Sequence, residues 1–130
     1  MVPFRIDLQP GIPLHEQVAF AAKKAMMSGR LRPGDPFPSV RVLSKAVRIH
    51  ANTAQKVVGQ LIADGLLEVL PGIGTVVAQR PASTRADRTH LLTRDVEQLT
   101  VEALRLGLSL EDVQSAIAEQ WRTLAGKDGK

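Results

Sequence analysis

The chain has 130 residues, a formal net charge of +4 and 44% hydrophobic residues. This size suits one ordinary domain or a small domain with an appendage, and the composition argues against wholesale disorder. The absence of cysteine excludes disulfide scaffolds and thiolate metal sites. The amino terminus lacks the apolar core of a signal peptide, and no run approaches membrane-spanning length, so we predict a cytoplasmic protein with no membrane partner.

The basic residues are concentrated in the first part of the chain. Residues 1–80 contain ten lysines and arginines against five acidic residues, whereas residues 81–130 contain seven against eight. This asymmetry indicates that the first part faces a polyanion and that the second part has another role. The alternative is that solvated lysines merely keep a small domain soluble.

The first elements of the chain are a short strand and a helix. We predict a strand from Phe4 to Asp7 and a helix that begins at Leu14 and ends near Gly29. Three prolines and a glycine then follow closely in L-R-P-G-D-P-F-P, which predicts a stiff, irregular connection.

A short helix follows this connection. Ser39 stands directly before an apolar-periodic segment, where its hydroxyl can cap the helix. Arg41 lies in the first turn, where a cation does not stabilise the helix because the amino-terminal end of the helix dipole is positive. A phosphate bound at this end would gain from the free amides and the guanidinium together, so we interpret Arg41 as an anion contact, with a surface salt bridge as the alternative.

The next helix has an apolar and a polar face. Ala54, Val57 and Leu61 recur with helical spacing, and Val58 and Ile62 widen the stripe. The opposite face has no acidic residue before position 64 and presents amide and ammonium donors, an arrangement suited to base edges and phosphates in a DNA major groove. The residues of this face are Asn52, Gln55, Lys56 and Gly59. We therefore predict a recognition helix.

Two β-prone runs come directly after this helix. Leu66–Leu70 and Thr75–Ala78 are separated by a Pro-Gly-Ile-Gly segment, which predicts a hairpin. A hairpin in this position turns a helix-turn-helix into a winged helix, and Gly72 and Gly74 would let its tip approach a sugar-phosphate backbone closely.

The second part of the chain is predicted to hold two helices. We expect a winged helix-turn-helix domain in residues 1–80, a polar linker in 81–88, a two-helix dimerisation region in 89–125 and a frayed tail in 126–130. Ser109 and Asp112 approximate a capping box for the second helix. The predicted dimerisation residues are Leu92, Val96, Leu99, Ala103, Leu106, Leu110, Val113, Ile117 and Trp121.

Two such helices expose more apolar surface than they can bury on each other. Pairing with an identical unit would supply the missing core and place two recognition helices on two half-sites, so we predict a homodimer. The alternative is that the tail folds back onto its own amino-terminal domain. The sequence predicts no cofactor and no metal, and it offers no candidate for a small-molecule effector, although one could bind between subunits.

The motifs of residues 10–78 resemble the GntR family of bacterial transcription regulators, and the short tail resembles the YtrA subfamily. The motifs are P-L-H-E-Q-V at residues 13–18, G-R-L-R-P-G-D at 29–35, P-S-V-R at 38–41, A-N-T-A-Q-K at 51–56, L-I-A-D-G-L-L at 61–67 and G-I-G-T-V-V at 72–77. The resemblance implies a homodimeric winged-helix repressor or activator on a palindromic operator. Leu70 and Pro71 stand where the wing often carries arginines, which predicts weaker wing contacts.

The sequence thus predicts a mainly α fold with a small β wing and a sequence-specific regulator of double-stranded DNA, nucleoid-associated when bound. The residues predicted to contact DNA are Ser39, Arg41, His50, Asn52, Thr53, Gln55, Lys56, Gly72 and Gly74. The alternative is a winged helix that binds an acidic protein through its basic face. An enzyme is not predicted, because the three histidines are far apart in sequence and no Ser, His and acid grouping is suggested by spacing.

Overall fold

The computed structural model describes residue 4, residues 6–79 and residues 83–126. The chain divides into an amino-terminal unit, Met1–Ala82, and a carboxy-terminal unit, Ser83–Lys130. The amino-terminal unit contains α1 (Leu14–Met27), α2 (Val40–Val47), α3 (Ala51–Ala63), β1 (Leu67–Leu70) and β2 (Gly74–Val77). The carboxy-terminal unit contains α4 (Arg85–His90), a π-helical turn (Leu91–Asp95), α5 (Val96–Arg105), α6 (Leu110–Trp121) and a second π-helical turn (Arg122–Gly126). The predicted mainly α fold with a small β wing is confirmed.

Helices α1 and α3 form the centre of the amino-terminal core. Val18 and Ala22 of α1 are fully buried, as are Ala54, Val57 and Leu61 of α3, and the two helices pack on each other. The alanines of α1 let the helices approach closely, while each fully buried large side chain stabilises the fold by about 1.5–3 kcal/mol. The predicted edge of the α3 stripe is wrong, because Ile62 is 37% exposed, and Leu14 at the start of α1 is likewise 42% exposed.

The turn between α2 and α3 is fixed by local hydrogen bonds. Ser44 Oγ donates to the carbonyl of Ile49 at 2.7 Å, and the Ile49 N–H donates to the Ser44 carbonyl at 3.1 Å. Arg48 ends α2 in the left-handed region with φ of 61°, and the Ile49 side chain is buried. The turn is thereby held by hydrogen bonds between its own residue Ile49 and Ser44 near the end of α2.

The wing is a two-stranded antiparallel hairpin attached to the proline-rich segment. Its register pairs Leu67 with Val77 and Leu70 with Gly74. On the other side of β2, the Phe37 N–H donates to the Thr75 carbonyl at 2.9 Å. This bond holds β2 of the wing beside the chain that enters α2.

The carboxy-terminal unit begins earlier than predicted. Thr84 and Asp87 form a capping box that starts α4 at Arg85, so the predicted linker 81–88 is wrong from residue 84 onward, and residues 81 and 82 lie outside the described residues. Periodicity gave no sign of this helix because the six residues of α4 include a single apolar residue, Ala86. Leu91 and Asp95 have right-handed helical dihedrals, so α4, the π-helical turn and α5 are continuous.

Helix α6 begins where the sequence predicts it. Ser109 Oγ accepts the Asp112 N–H at 3.0 Å, and Asp112 Oδ2 accepts the Ser109 N–H at 2.9 Å. The predicted capping box is therefore confirmed. Of the predicted frayed tail, only Gly126 is described, where it ends the second π-helical turn.

The predicted amino-terminal strand is also wrong. Residues 4, 6 and 7 are not in a strand. Phe4 instead anchors this segment through its side chain, which is buried and stacks on Phe37 with ring centroids 6.1 Å apart. In the described part of the chain, no helix combines the length and the apolar character needed to cross a membrane.

Candidate nucleic-acid interface

The outer face of α3 is polar and open. Asn52, Gln55, Lys56 and Gly59 are all exposed, directly opposite the face that α3 buries against the core. A Cβ added at Gly59 would have no atom within 4 Å, so this part of the helix surface is low and unobstructed. Donor groups at this spacing on an accessible helix can reach base edges in a major groove.

The two other predicted residues of α3 differ in accessibility. His50 precedes the helix and is exposed, but its side chain makes no capping hydrogen bond. Thr53 is only half-buried, so its hydroxyl is less accessible than the neighbouring Asn52. The structure therefore leaves His50 available for contacts and limits those of Thr53.

Ser39 and Arg41 lie at the start of α2. Ser39 Oγ accepts the Val42 N–H at 3.2 Å, which confirms the predicted cap and shows that one lone pair of the hydroxyl is engaged. Arg41 is exposed, and no carboxylate of the described residues lies within ion-pair distance of it. The surface salt bridge considered for Arg41 is therefore absent from the described part of the chain.

Two further cations follow Arg41 along α2. Lys45 is exposed and stands four residues after Arg41, on the same side of α2. Arg48 is also exposed and follows the helix as its left-handed C-cap. All three ion pairs of the described residues lie in the carboxy-terminal unit. The basic stripe formed by Arg41, Lys45 and Arg48 therefore has no acidic partner among the described residues. The sequence prediction missed Lys45 and Arg48, because nothing in the sequence shows that these cations have no acidic partner.

Gly72 and Gly74 frame the tip of the wing. Pro71 followed by Gly72 with φ of 78° is the arrangement of a type II β-turn, and the Ile73 N–H donates to the Leu70 carbonyl at 3.0 Å. Gly74 has φ of 120°, a backbone that side chains rarely adopt. Both glycines have open space around them, so the backbone of the tip is accessible.

The elements that carry these residues contact one another within the amino-terminal unit. Helix α2 packs on α3, and the hydrogen bond between Phe37 and Thr75 joins the entry to α2 with β2 of the wing. The roles of the individual side chains toward DNA stay predictions. Within residue 4 and the ranges 6–79 and 83–126, no three His, Asp or Glu side chains are grouped as a metal site would require.

Comparison with known proteins places this geometry in a family. Residues 14–77 match the family model of the bacterial regulatory proteins of the gntR family. The chain is 29% identical over 116 residues to the HTH-type transcriptional repressor YtrA of Bacillus subtilis, a match that covers 88% of this chain and 89% of the repressor.

Two solved structures resemble the chain. A crystal structure of a transcriptional antiterminator from Listeria monocytogenes has a TM-score of 0.78 at 21% identity, covers 90% of this chain and is itself covered to 88%, which shows a common fold. AraR(DBD) in complex with operator ORX1 has a TM-score of 0.52 at 25% identity, over 57% of this chain and 95% of that one. The segment that matches the family model, residues 14–77, contains α1, α2, α3 and the wing. Residues 14–77, which carry the helix-turn-helix and the wing, therefore form a domain of the gntR family of bacterial regulatory proteins.

Proposed function

We propose that the protein is a homodimeric transcriptional repressor that binds a palindromic operator, with α3 in the major groove and the wing on the backbone or in the minor groove. One observation carries this proposal: the exposed donor face of α3 lies on the helix that packs beside the unpaired basic stripe of α2. Side chains that read bases and side chains that hold phosphates are the two components of specific DNA binding.

The basic stripe supplies the electrostatic part of this function. Arg41, Lys45 and Arg48 are exposed cations without an acidic partner in the described ranges. Cations that neutralise phosphates release condensed counterions, which favours binding and makes it sensitive to salt. Since Arg41 is in the first turn of α2, a phosphate there also meets the positive end of the helix dipole.

The carboxy-terminal unit provides the surface through which two copies of the chain would associate. Its helices α5 and α6 have no extended contact with each other, and they leave large apolar side chains open to solvent. Ala103 is already buried and Val113 is half-buried, so these two predicted dimerisation residues have less surface to contribute. The other seven are exposed: Leu92, Val96, Leu99, Leu106, Leu110, Ile117 and Trp121. Covering this surface with the same surface of a second chain gives a two-fold dimer.

The similar proteins support the same function. The relative from Bacillus subtilis is named as a repressor, and its similarity spans both units of this chain. AraR(DBD), similar to the amino-terminal unit, is bound to an operator. We infer that this chain likewise acts on DNA in the cytoplasm, nucleoid-associated when bound, and that it is not an enzyme.

Selection of bound duplexes from a random pool tests DNA specificity, palindromy and half-site spacing together. We expect enrichment of an inverted repeat whose half-sites are about one helical turn, or a multiple of it, apart. Failure to enrich any sequence would contradict the proposal. Binding to an acidic protein without duplex selectivity would instead support the protein-interaction alternative.

Sedimentation equilibrium tests the dimer. A variant with Ile117→Glu and Trp121→Glu places two charges on the exposed apolar surface of α6, where their desolvation opposes association. We expect its dissociation constant to rise by at least about a hundredfold. Gln114→Glu, which adds a charge at an exposed polar position of the same helix, is the control. A double variant that dimerises as tightly as the control would place the interface elsewhere.

A further inference from the structure

The tip of the wing presents an isolated apolar side chain to solvent. Ile73 is 73% exposed, more than any other large hydrophobic side chain of the described residues. Ile73 is not part of the buried core of the amino-terminal unit. Val69 of β1 is also 60% exposed, so the wing exposes a second apolar side chain.

The backbone holds this side chain in a defined place. The turn through Pro71 and Gly72 is closed by the hydrogen bond between Ile73 and Leu70, and β2 begins immediately afterwards at Gly74. Because neither flanking glycine has a side chain, nothing shields Ile73 at the tip. An ordered apolar group therefore meets any surface that the wing touches without a large loss of conformational entropy.

Charge distinguishes the wing from the rest of the DNA-binding unit. The sequence contains no lysine or arginine between Val57 and Gln79, and Glu68 is the only charged residue of the two strands. The wing cannot hold a phosphate through a cationic side chain. The absence of cations predicts weak electrostatic contact by the wing, but the exposure of Ile73 indicates contact of another kind.

We propose that Ile73 packs against the sugar walls of the minor groove beside each half-site and contributes to operator binding independently of salt. The inference rests on the proposed function. Phosphates are strongly hydrated, so an isoleucine placed on them would only remove water. The groove walls offer C–H surface instead, and apolar side chains are used in minor grooves as wedges. The hydrogen bond between Phe37 and Thr75 couples this contact to the start of α2.

Operator affinity measured over a range of salt concentrations tests this inference on the full chain. Ile73→Ala should lower the affinity about tenfold, since apolar contact area is lost in both subunits. The slope of log affinity against log salt should not change, because no phosphate contact is removed. Ile73→Lys should steepen that slope by about 0.9 for each wing that reaches a phosphate.

The matched control is Met27→Ala. Met27 is 54% exposed at the end of α1, and α1 packs on the buried face of α3, so its exposed side is turned away from the recognition face. The operator affinity of the Met27→Ala variant, and its slope of log affinity against log salt, should equal those of the unmodified protein. Thermal unfolding of both alanine variants should also be unchanged, because neither side chain is buried.

The possible results separate this inference from the proposed function. An unchanged affinity of Ile73→Ala, or an unchanged slope of Ile73→Lys, would overturn the inference while operator binding by the unmodified protein stands. A shift of oligomeric state in Ile73→Ala with the same intrinsic affinity would show that the tip contacts protein, and would overturn it as well. If the unmodified protein selects no duplex, both proposals fail.

Discussion

The two units of this chain use apolar and charged residues in opposite ways. The amino-terminal unit has a contiguous buried core, in which Leu43 and Leu61 are at 0% exposure, and it leaves its cations without acidic partners in the described residues. The carboxy-terminal unit leaves Leu104 and Trp121 about 70% exposed and joins charges in pairs such as Arg122 with Glu119, whose side chains are 2.9 Å apart.

This contrast indicates which unit is complete in one copy. A domain that buries its apolar residues internally can fold alone, and its unpaired cations remain available for a polyanion. A pair of helices with exposed apolar surface lacks part of its core, and local charge pairs contribute little to its stability. The first unit therefore suits DNA contact and the second suits association.

Removal of the carboxy-terminal unit should produce the largest effect. A fragment of residues 1–82 retains the whole buried core, so we expect it to be folded and monomeric. Its operator affinity should fall by about 10²–10⁴-fold, because the second half-site no longer binds as part of the same molecule. Sedimentation equilibrium and a mobility-shift titration measure the two quantities. A dimeric fragment would contradict the division of roles between the units.

Leu61→Ala should be the most damaging single change to the amino-terminal core. The side chain is fully buried on α3, so its loss removes buried area and leaves a cavity, at a cost of about 2–5 kcal/mol in the free energy of unfolding. Ile62→Ala on the same helix is the control, since Ile62 is already 37% exposed. Denaturant unfolding that gives equal losses for both would show that the helix is packed differently.

Arg41→Ala should lower operator affinity about tenfold without unfolding the dimer. One charge-assisted phosphate contact is lost in each subunit, so the salt slope should also decrease by about 0.9 for each contact. Stability should be equal or slightly higher, because a cation leaves the positive end of α2. Lys23→Ala, an exposed cation on α1, is the control. A mobility-shift titration with unchanged affinity would refute the role of Arg41.

A small acid-dependent effect is expected at the start of α6. The backbone N–H of Ser109, and secondly its hydroxyl, lower the pKa of Asp112 below its ordinary value of 3.8. The resulting stabilisation of the helix is present above pH 3.8 and is lost as the pH falls through the lowered pKa of the folded state.

Circular dichroism of the acid titration distinguishes Asp112 from its neighbours. Asp112→Asn should remove this component of the loss of helix on acidification, because the amide does not titrate. Glu111→Gln, which stands outside the capping box, should leave it in place. Equal acid profiles for the two variants would show that Asp112 is not the titrating group.

Much of the amino-terminal unit could be predicted from the sequence because its signals are local. Ser39 was identified as a cap from its place before an apolar stripe, and the stripe of α3 identified Leu61 as core. The hairpin followed from the glycines around Ile73. Lys45 was missed because a cation on a helix has no signature until its neighbours are known to be unpaired.

The errors fall where distant or solvent-facing contacts decide the structure. Phe4 was assigned to a strand, but it is held by stacking on Phe37, more than thirty residues away. The sequence places α4 in a linker because periodicity detects only helices with recurring apolar residues, and the helix that begins at Arg85 has a single one, Ala86. Ala103 was placed in an open interface, although it is buried.

The sequence by itself determined the helix-turn-helix and hairpin of the first unit, the caps at Ser39 and Ser109, the polar face of α3 and the excess of basic residues in the first unit, because each follows from composition or from neighbours within about one or two helical turns. Only the tertiary structure decided that the cations of α2 lack acidic partners in the described residues, that the proline-rich segment fixes the wing and that Ile73 stands exposed at its tip. These properties depend on contacts between residues far apart in the chain, which periodicity and spacing do not encode.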